Sequence, residues 1–290
     1  MEPVNNIRLT LIVPFLNSHE LVRRQLLNLH QNVGLNDFKD VECFFMDDGS
    51  DPPHLSDPKI VAAASKLERL TIIPTNEFRP WTSSLARNMG AIMAHGDWLF
   101  MHDGDFFIPT RQALETAREF ATGQYGDRLG IRRQLGVILE DGTVTQDLDV
   151  LEAWGVPRSH LDRKGAYIGP HPNHYIISKA TFWLMGGYDP KLILERTYPQ
   201  GEDNYLKKIW CRLRDVGEAQ IPDGNGGHKL LKVEKRPTQG PDDMRPMMWM
   251  FPNGQFCGDV DTNPFGLFHE LSRKSPRNPY TGDKLLKDGR

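Results

Sequence analysis

Asp103 and Asp105 flank a glycine in Asp103-Gly104-Asp105. Two carboxylates at that spacing on one short loop can hold a single divalent cation and leave coordination sites for diphosphate oxygens, while Gly104 lets the backbone approach closely. Taken alone, such a pair is equally a turn or a helix cap. Here it follows Gly96-Asp97-Trp98-Leu99-Phe100-Met101-His102, a strand-like run, and Pro109 opens the next helical stretch. The pair therefore sits where α/β sheets bind ligands, beyond the carboxyl end of a strand. Asp47-Asp48-Gly49-Ser50 reads as a turn after an earlier strand, and a carboxylate there can accept the imide N–H of a uracil or thymine ring. Arg87, in Arg87-Asn88-Met89-Gly90 on a helical stretch, can supply a cation facing a diphosphate. Each of these, by itself, is also an ordinary surface turn or a solvated helix residue.

The elements that must position these groups alternate along the first half of the chain. Short β-rich runs at 7–14, 41–46, 70–73 and 98–102 are separated by amphipathic stretches at 21–30, 60–67 and 83–94, with another at 111–121. A βαβα rhythm implies right-handed crossovers and a mainly parallel, Rossmann-like sheet with helices on both faces. The polar clusters Pro14-Phe15-Leu16-Asn17, Asp47-Asp48-Gly49-Ser50 and Asp103-Gly104-Asp105 each follow a strand, so one cleft should collect all three. From about residue 122 the rhythm gives way to a Gly-, Pro- and His-rich stretch, with a hairpin expected at 136–145 around Asp141-Gly142. A helix is expected at 202–215, then turn-rich segments and a tail whose Pro276, Pro279 and Gly282 argue against one long helix.

Composition bounds the class. With 290 residues, 39% apolar and 25% charged, the chain can build one large core or two small ones, and disorder, collagen-like repeats and coiled coil are excluded. No apolar stretch approaches the roughly 18 residues that would span a bilayer. The three cysteines, Cys43, Cys211 and Cys257, are odd in number and scattered, and residues 1–10 lack the basic region and long apolar stretch of a secretory signal, so a reducing cytoplasm is the expected compartment. A net charge of −3 gives no global drive toward nucleic acid. The distribution is uneven, however: residues 205–236 hold eight Lys/Arg against four Asp/Glu, and residues 269–290 hold six against three.

The ordered series Leu11-Ile12-Val13-Pro14-Phe15-Leu16-Asn17, Asp47-Asp48-Gly49-Ser50, Ala86-Arg87-Asn88-Met89-Gly90, Gly96-Asp97-Trp98 with Asp103-Gly104-Asp105, Gly186-Gly187-Tyr188-Asp189 and Gly201-Glu202-Asp203 resembles a family 2 glycosyltransferase of the GT-A fold. The resemblance covers about residues 7–210. It implies a nucleotide-sugar donor, expected as a UDP-sugar, a divalent cation, Mn2+ or Mg2+, and inversion at the anomeric carbon. Carried over position by position, Pro14, Phe15 and Asn17 with Asp47 and Asp48 would line the nucleoside pocket, and Arg87 would lie near the diphosphate. Asp103 and Asp105 would occupy the family's metal and ribose motif. Glu202 and Asp203 match the acidic pair that contains the base, with Asp203 favoured. The one departure is Phe106, where many relatives carry another acidic residue.

On this reading residues 1–215 form the GT-A catalytic domain, with donor binding in 1–110 and the acceptor side in 111–215, and residues 216–290 form a C-terminal extension covering the active site. His269 resembles the downstream histidine that some GT-A enzymes use as a further metal ligand, and an imidazole suits manganese better than magnesium. His228 competes for that role. The acceptor would carry a hydroxyl, on a glycan, a lipid-linked sugar, a protein or a modified nucleic-acid base, and the basic tail hints at an anionic one. Two alternatives share the same sheet. A nucleotidyltransferase should show a Gly-rich basic loop after the first strand, which residues 14–20 lack, and a catalytically dead sugar-nucleotide-binding protein would not need Asp103, Asp105, Glu202 and Asp203 intact.

Overall fold

The computed structural model describes residues 6–76, 83–131, 133–147, 149–150, 167–168, 173–189, 202–240 and 248–250, with the backbone alone at 133–135, 167–168, 202–203 and 248–250. The first strand, β1 (Leu9–Phe15), is buried along its whole length, as expected of an unbroken apolar run at the centre of a sheet covered on both faces. It is followed by α1 (His19–Asn28), whose last turn widens into a π-helical turn at Leu29–Val33 and ends at left-handed Gly34. Next come β2 (Val41–Asp47), α2 (Pro58–Ala64) and β3 (Leu70–Pro74). Helix α2 starts where sequence chemistry dictates: Pro58 occupies the first turn, and the Asp57 side chain accepts a hydrogen bond from the Lys59 amide at 2.8 Å.

Then follow α3 (Ser83–Met93), β4 (Trp98–Met101), β5 (Phe106–Phe107) and α4 (Arg111–Phe120), the last capped by Thr110. After these lie β6 (Arg128–Gly130), β7 (Arg133–Leu135), and a hairpin of β8 (Val137–Ile138) with β9 (Val144–Thr145), the one expected around Asp141-Gly142. The remaining elements are β10 (Tyr167–Ile168), β11 (Tyr175–Ser178), α5 (Lys179–Leu184), α6 (Glu202–Asp215), β12 (Glu218–Pro222), β13 (His228–Lys232) and β14 (Met248–Met250).

The main sheet runs β3-β2-β1-β4-β11-β6. Its first four strands pair in parallel, and β11 and β6 pair antiparallel to their neighbours. The expected mixed α/β, mainly parallel architecture is thus observed, with the antiparallel strands added on the β4 side. Alternate residues of the strands feed two cores. Leu11, Val13, Phe45 and Phe100 pack with Leu26 of α1, Ile60 of α2 and Leu114 of α4 on one face. Ile12, Met46, Leu99 and Tyr175 pack with Ala86 of α3 and with Leu206, Ile209, Trp210 and Leu213 of α6 on the other. Each such fully buried aliphatic or aromatic side chain contributes on the order of 1.5–3 kcal/mol. Ala219 and Ile221 of β12 join the second core, so that core continues past residue 215.

A smaller sheet, β10-β7-β14-β5, lies beside the first. In it the backbone at 248–250 pairs antiparallel with Phe106–Phe107, immediately after the acidic loop.

Candidate active site

Strand β4 stops at Met101, opposite Ile12, while β1 continues to Phe15. The chain then turns across that projecting end, which makes Gly104 a steric requirement. A Cβ there would sit 2.7 Å from the Pro14 carbonyl oxygen and 2.8 Å from Cδ1 of Phe15. From behind, Gln25 of α1 donates from Nε2 to the carbonyls of Gly104 at 2.6 Å and Phe106 at 2.8 Å. His102 Nδ1 donates to the Asp103 carbonyl at 2.6 Å. Burial drives the His102 pKa down to about 4, so the ring is neutral near pH 7. The acidic loop is therefore held by its main chain, and its carboxylates are left to other partners.

Asp103 Oδ1 accepts from Arg87 Nη2 and, at 3.3 Å, from Asn173 Nδ2, while Oδ2 lies 3.2 Å from His174 Nε2. His174 is fully buried, with its ring centroid 3.6 Å from that of Phe106. The Asp103 side chain keeps 18% exposure, and Asp105 is half-buried. Both carboxylates thus remain reachable at the sheet edge.

Arg87, expected to face a diphosphate, has no exposed surface. Its guanidinium lies beneath the loop, bonded to Asp103, to Ser83 Oγ at 3.2 Å and to the His102 carbonyl at 3.4 Å. The cause is the closeness of α3 to β1: a Cβ on Gly90 would come within 2.7 Å of Ile12 Cγ2. Arg87, one turn earlier, is therefore enclosed, and its charge reaches the cleft through Asp103.

The next residue ties down a second loop. Asn88 Nδ2 donates to the Tyr188 carbonyl at 2.6 Å, and the Tyr188 amide returns a bond to Asn88 Oδ1 at 3.0 Å. This clips the Gly186-Gly187-Tyr188-Asp189 turn to α3. Gly187, at φ 65°, is left-handed there, and a Cβ would meet Asn88 Oδ1 at 2.8 Å. The Tyr188 hydroxyl in turn bonds that of Tyr175 at 2.9 Å and Asn173 Oδ1 at 3.3 Å, which closes a path back to Asp103. His228 Nε2 lies 3.3 Å from Oδ2 of buried Asp189. Its observed partner is thus a carboxylate at the end of this turn and not the Asp103–Asp105 loop.

The loops after β1 and β2 are laced together. The Asp48 amide donates to the Phe15 carbonyl at 2.8 Å, the Asn17 amide to Ser50 Oγ at 2.9 Å, and the Asp51 amide to Asn17 Oδ1 at 2.8 Å. Asn17 adopts a left-handed φ of 50°, a region that asparagine tolerates. Asp47 is buried and organises its own turn, accepting from the Ser50 amide at 3.0 Å and the His54 amide at 2.8 Å. Burial would raise its pKa, but these bonds and the neighbouring His54 ring outweigh it and hold the carboxyl well below the usual carboxylate range. Phe15 packs against Phe45, ring centroids 4.7 Å apart, and Asp48 is fully buried. Pro14 lies beyond the last residue paired with β4, where its missing N–H costs no ladder bond on that side.

Pro14, Phe15, Asn17, Asp47, Asp48, Arg87, Asp103 and Asp105 thus gather at one sheet edge. Glu202 and Asp203 open α6, but their side chains, like His269 as a whole, lie outside the described residues. Among the described residues no group of three or more His, Cys, Asp or Glu forms a ready-made metal site. Asp103 and Asp105 offer hard oxygen donors that suit Mg2+ or Mn2+, in a number that needs further ligands such as diphosphate oxygens to complete a shell. Sequence reasoning missed Gln25, His54, Asn173 and His174 as supports of the site. Their signal was slight: a polar residue on the buried face of an amphipathic helix, a histidine in the turns after β2, and two residues directly before a buried strand.

The segment that carries this geometry matches a known family model, Glycosyl transferase family 2, over residues 10–136. A search of curated proteins finds no match. Among solved structures, S. aureus TarS is 17% identical, with 69% of this chain and 32% of that chain covered and a TM-score of 0.46. TarS 1-349 in complex with UDP is 16% identical over 81% of this chain and 60% of that chain, with a TM-score of 0.46. A mannosyltransferase from Pyrobaculum calidifontis, in complex with GDP-Man and Mn2+, is 19% identical over 63% of this chain and 47% of that chain, with a TM-score of 0.40. The chain spans from about a third to three fifths of those structures' own length, and likenesses of this size carry no argument about substrate. The match to glycosyl transferase family 2 thus runs from the second residue of β1 through the acidic loop to just past β7.

Proposed function

We propose that this protein transfers a sugar from a nucleotide-sugar donor, a UDP-sugar being the first to test, to an acceptor hydroxyl with inversion at the anomeric carbon. The observation that carries the reading is the convergence of the Phe15–Asn17, Asp47–Ser50 and Asp103–Asp105 loops at one sheet edge within the segment that matches the family. In this reading residues 1–110 bind the donor, 111–215 form the acceptor side and 216–290 cover the site.

Asp103 and Asp105 would hold Mn2+ or Mg2+, which when bound would supply charge neutralisation for the diphosphate leaving group. The chain's own residues do the rest. Arg87, Asn173 and His174 fix the Asp103 carboxylate, Gln25 and Gly104 fix the loop, and a carboxylate at the start of α6, Asp203 first, accepts the acceptor's hydroxyl proton. No helix among the described residues is long and apolar enough to cross a membrane. The acceptor in this reading is a hydroxyl compound that an anionic group would help to hold through the basic tail.

The test is a thermal-shift panel of UDP, GDP and their common sugars, with and without Mn2+, followed by a transfer or donor-hydrolysis assay with the best ligand. Nucleotide-dependent stabilisation with sugar release supports the reading, since a ligand that binds only the folded state raises its stability by mass action. Stabilisation without turnover of any donor leaves a binding protein. Release of pyrophosphate from a nucleoside triphosphate and sugar phosphate makes it a nucleotidyltransferase.

A further inference from the structure

We infer that His54, as a neutral imidazole protonated at Nδ1, is the latch that holds the loop after β1 to the loop after β2 and so preforms the nucleoside side of the donor cleft. His54 is 1% exposed and lies in the second loop, seven residues after Asp47. Its two ring nitrogens face different elements. The Ser18 amide N–H, in the first loop, points at Nε2 over 3.3 Å. A main-chain N–H can only donate, so Nε2 must carry its lone pair. The remaining ring proton is then on Nδ1, which faces Asp47 Oδ2 at 3.3 Å and Ser50 Oγ at 3.5 Å. The same Asp47 oxygen also accepts the His54 amide at 2.8 Å, so carboxylate, amide and ring form one unit.

The tautomer is imposed by its neighbours, a carboxylate selecting Nδ1–H and an amide selecting bare Nε2. Packing supports the ring in that pose: the Phe15 ring meets its edge with centroids 6.2 Å apart, and the His19 ring lies 4.6 Å away. The Ser18 bond matters because it ties the second loop to the residue that caps α1. Beyond Ser18 N, the cross-links between them include the Asn17 amide to Ser50 Oγ, the Asp51 amide to Asn17 Oδ1 and the Asp48 amide to the Phe15 carbonyl. Every one of these four bonds ends on residues 15–18 and 48–54, and the His54 bond is the one nearest the start of α1. His54 touches no reacting atom; it is a positioning residue, and this role rests on the donor-binding reading above.

The test separates the latch from that reading. First, 15N-resolved imidazole spectra of the full 290-residue chain, without ligand, should show His54 Nε2 with the shift of an unprotonated nitrogen and Nδ1 with that of a protonated one. The opposite tautomer overturns the proposal whatever the protein does catalytically. Second, the two amide isosteres divide the ring's functions: Gln places its carbonyl oxygen near the Nε2 position, whereas Asn reaches only the Nδ1 position. Hydrogen exchange at the Ser18 amide should be faster in His54→Asn and return toward wild type in His54→Gln.

Third, UDP with Mn2+, and GDP with Mn2+ in parallel, should bind His54→Asn about 3–10-fold more weakly, the scale of one hydrogen bond, with affinity restored in His54→Gln. In a transfer assay the loss should fall on the donor KM and leave kcat within about twofold, a split that a merely structural defect does not produce. Equal behaviour of the Asn and Gln variants, in exchange and in nucleotide affinity, overturns the positioning role. If neither nucleotide binds the wild type, the donor-binding reading and the positioning role fall together, while the nitrogen spectrum and the Ser18 exchange rate still decide whether the latch exists.

Discussion

Arg87 and Asp103 form an ion pair beneath the C-terminal edge of the sheet, with the guanidinium fully enclosed and the carboxylate partly open to the cleft. The pairing joins two motifs that are sixteen residues apart in the chain. It also gives Asp103 a structural duty beside any ligand role, because its carboxylate compensates a buried cation. Removing one partner of a buried pair leaves an uncompensated charge, which typically costs about 3–5 kcal/mol.

Asp103→Ala should therefore lower stability toward the lower end of that range, since the carboxylate retains some solvent contact, and should also abolish Mn2+-dependent nucleotide binding. Asp105→Ala should also abolish the Mn2+-dependent binding, without stranding the Arg87 charge. Urea denaturation of both variants, with UDP thermal shifts in Mn2+ and in excess chelator, reads the two effects separately. UDP affinity that is the same with chelator, or unaffected by Asp105→Ala, removes the cation from the proposed function.

Gly104 is fixed by a collision with main chain, not with a movable side chain. Gly104→Ala would bring a Cβ to 2.7 Å from the Pro14 carbonyl oxygen, so the acidic loop must shift away from β1. Overpacking of this sort costs about 1–3 kcal/mol, and the shift should weaken Mn2+-dependent nucleotide binding by more than it lowers Tm relative to a control Gly224→Ala, a left-handed position with nothing within 4 Å. Binding at wild-type strength in Gly104→Ala would show that the loop adapts freely.

Asp47 makes stability depend on acid. Its carboxyl titrates well below the usual range when folded and near about 3.9 when unfolded, so its stabilisation is complete above the unfolded value and is lost as pH falls toward the folded one. Urea midpoints of the wild type should decline from about pH 5 downward, and the decline should be shallower in Asp47→Asn, which should also be about 1–3 kcal/mol less stable at pH 7 because the His54 and Ser50 amides lose a charged acceptor. Parallel declines in the two proteins would assign the acid sensitivity to other carboxylates.

Much of this architecture was legible because the physics is local and periodic. Short β-rich runs marked β1 and β2, the helical stretch 202–215 marked α6, and Asp141-Gly142 marked the hairpin. What could not be read was which way a polar side chain turns once the elements pack. Arg87 was expected near the diphosphate because a cation on the helix before β4 has that option in sequence, and the spacing could not show that it is buried against Asp103, Ser83 and the His102 carbonyl. Asn173 and His174 meet Asp103 across about seventy residues, a distance at which spacing carries no signal.

Those two residues give a further test. His174→Ala removes a buried ring from Asp103 Oδ2 and from Phe106, so it mixes a packing loss with a positioning loss. Asn173→Ala removes a 3.3 Å bond to Asp103 Oδ1 and the bond from Tyr188 without taking a buried ring from Phe106. Mn2+ titrations followed by UDP-dependent thermal shift should show a raised half-saturating Mn2+ concentration in both, with His174→Ala also lowering Tm by several degrees. An unchanged Mn2+ requirement in both variants would remove Asn173 and His174 from the setting of the Asp103 carboxylate.

The acid–base prediction concerns the start of α6. An inverting transfer needs the acceptor hydroxyl aligned opposite the departing diphosphate, with a carboxylate within about 2.6–3.2 Å of its proton. Glu202 and Asp203 open the helix, where negative charge is also favoured by the helix dipole, so acidity there does not by itself identify a base. Successive helical positions point about 100° apart, and only one of the two can face a given sugar. Asp203→Asn should keep nucleotide affinity near wild type while lowering kcat by roughly 10²–10⁴, the span for loss of acid–base catalysis. Glu202→Gln should retain most of its turnover. If Glu202→Gln is the inactive variant and Asp203→Asn keeps more than about a tenth of kcat, well short of that span, the base moves one residue toward the N-terminus; if both variants turn over normally, the proton leaves through a group beyond this pair.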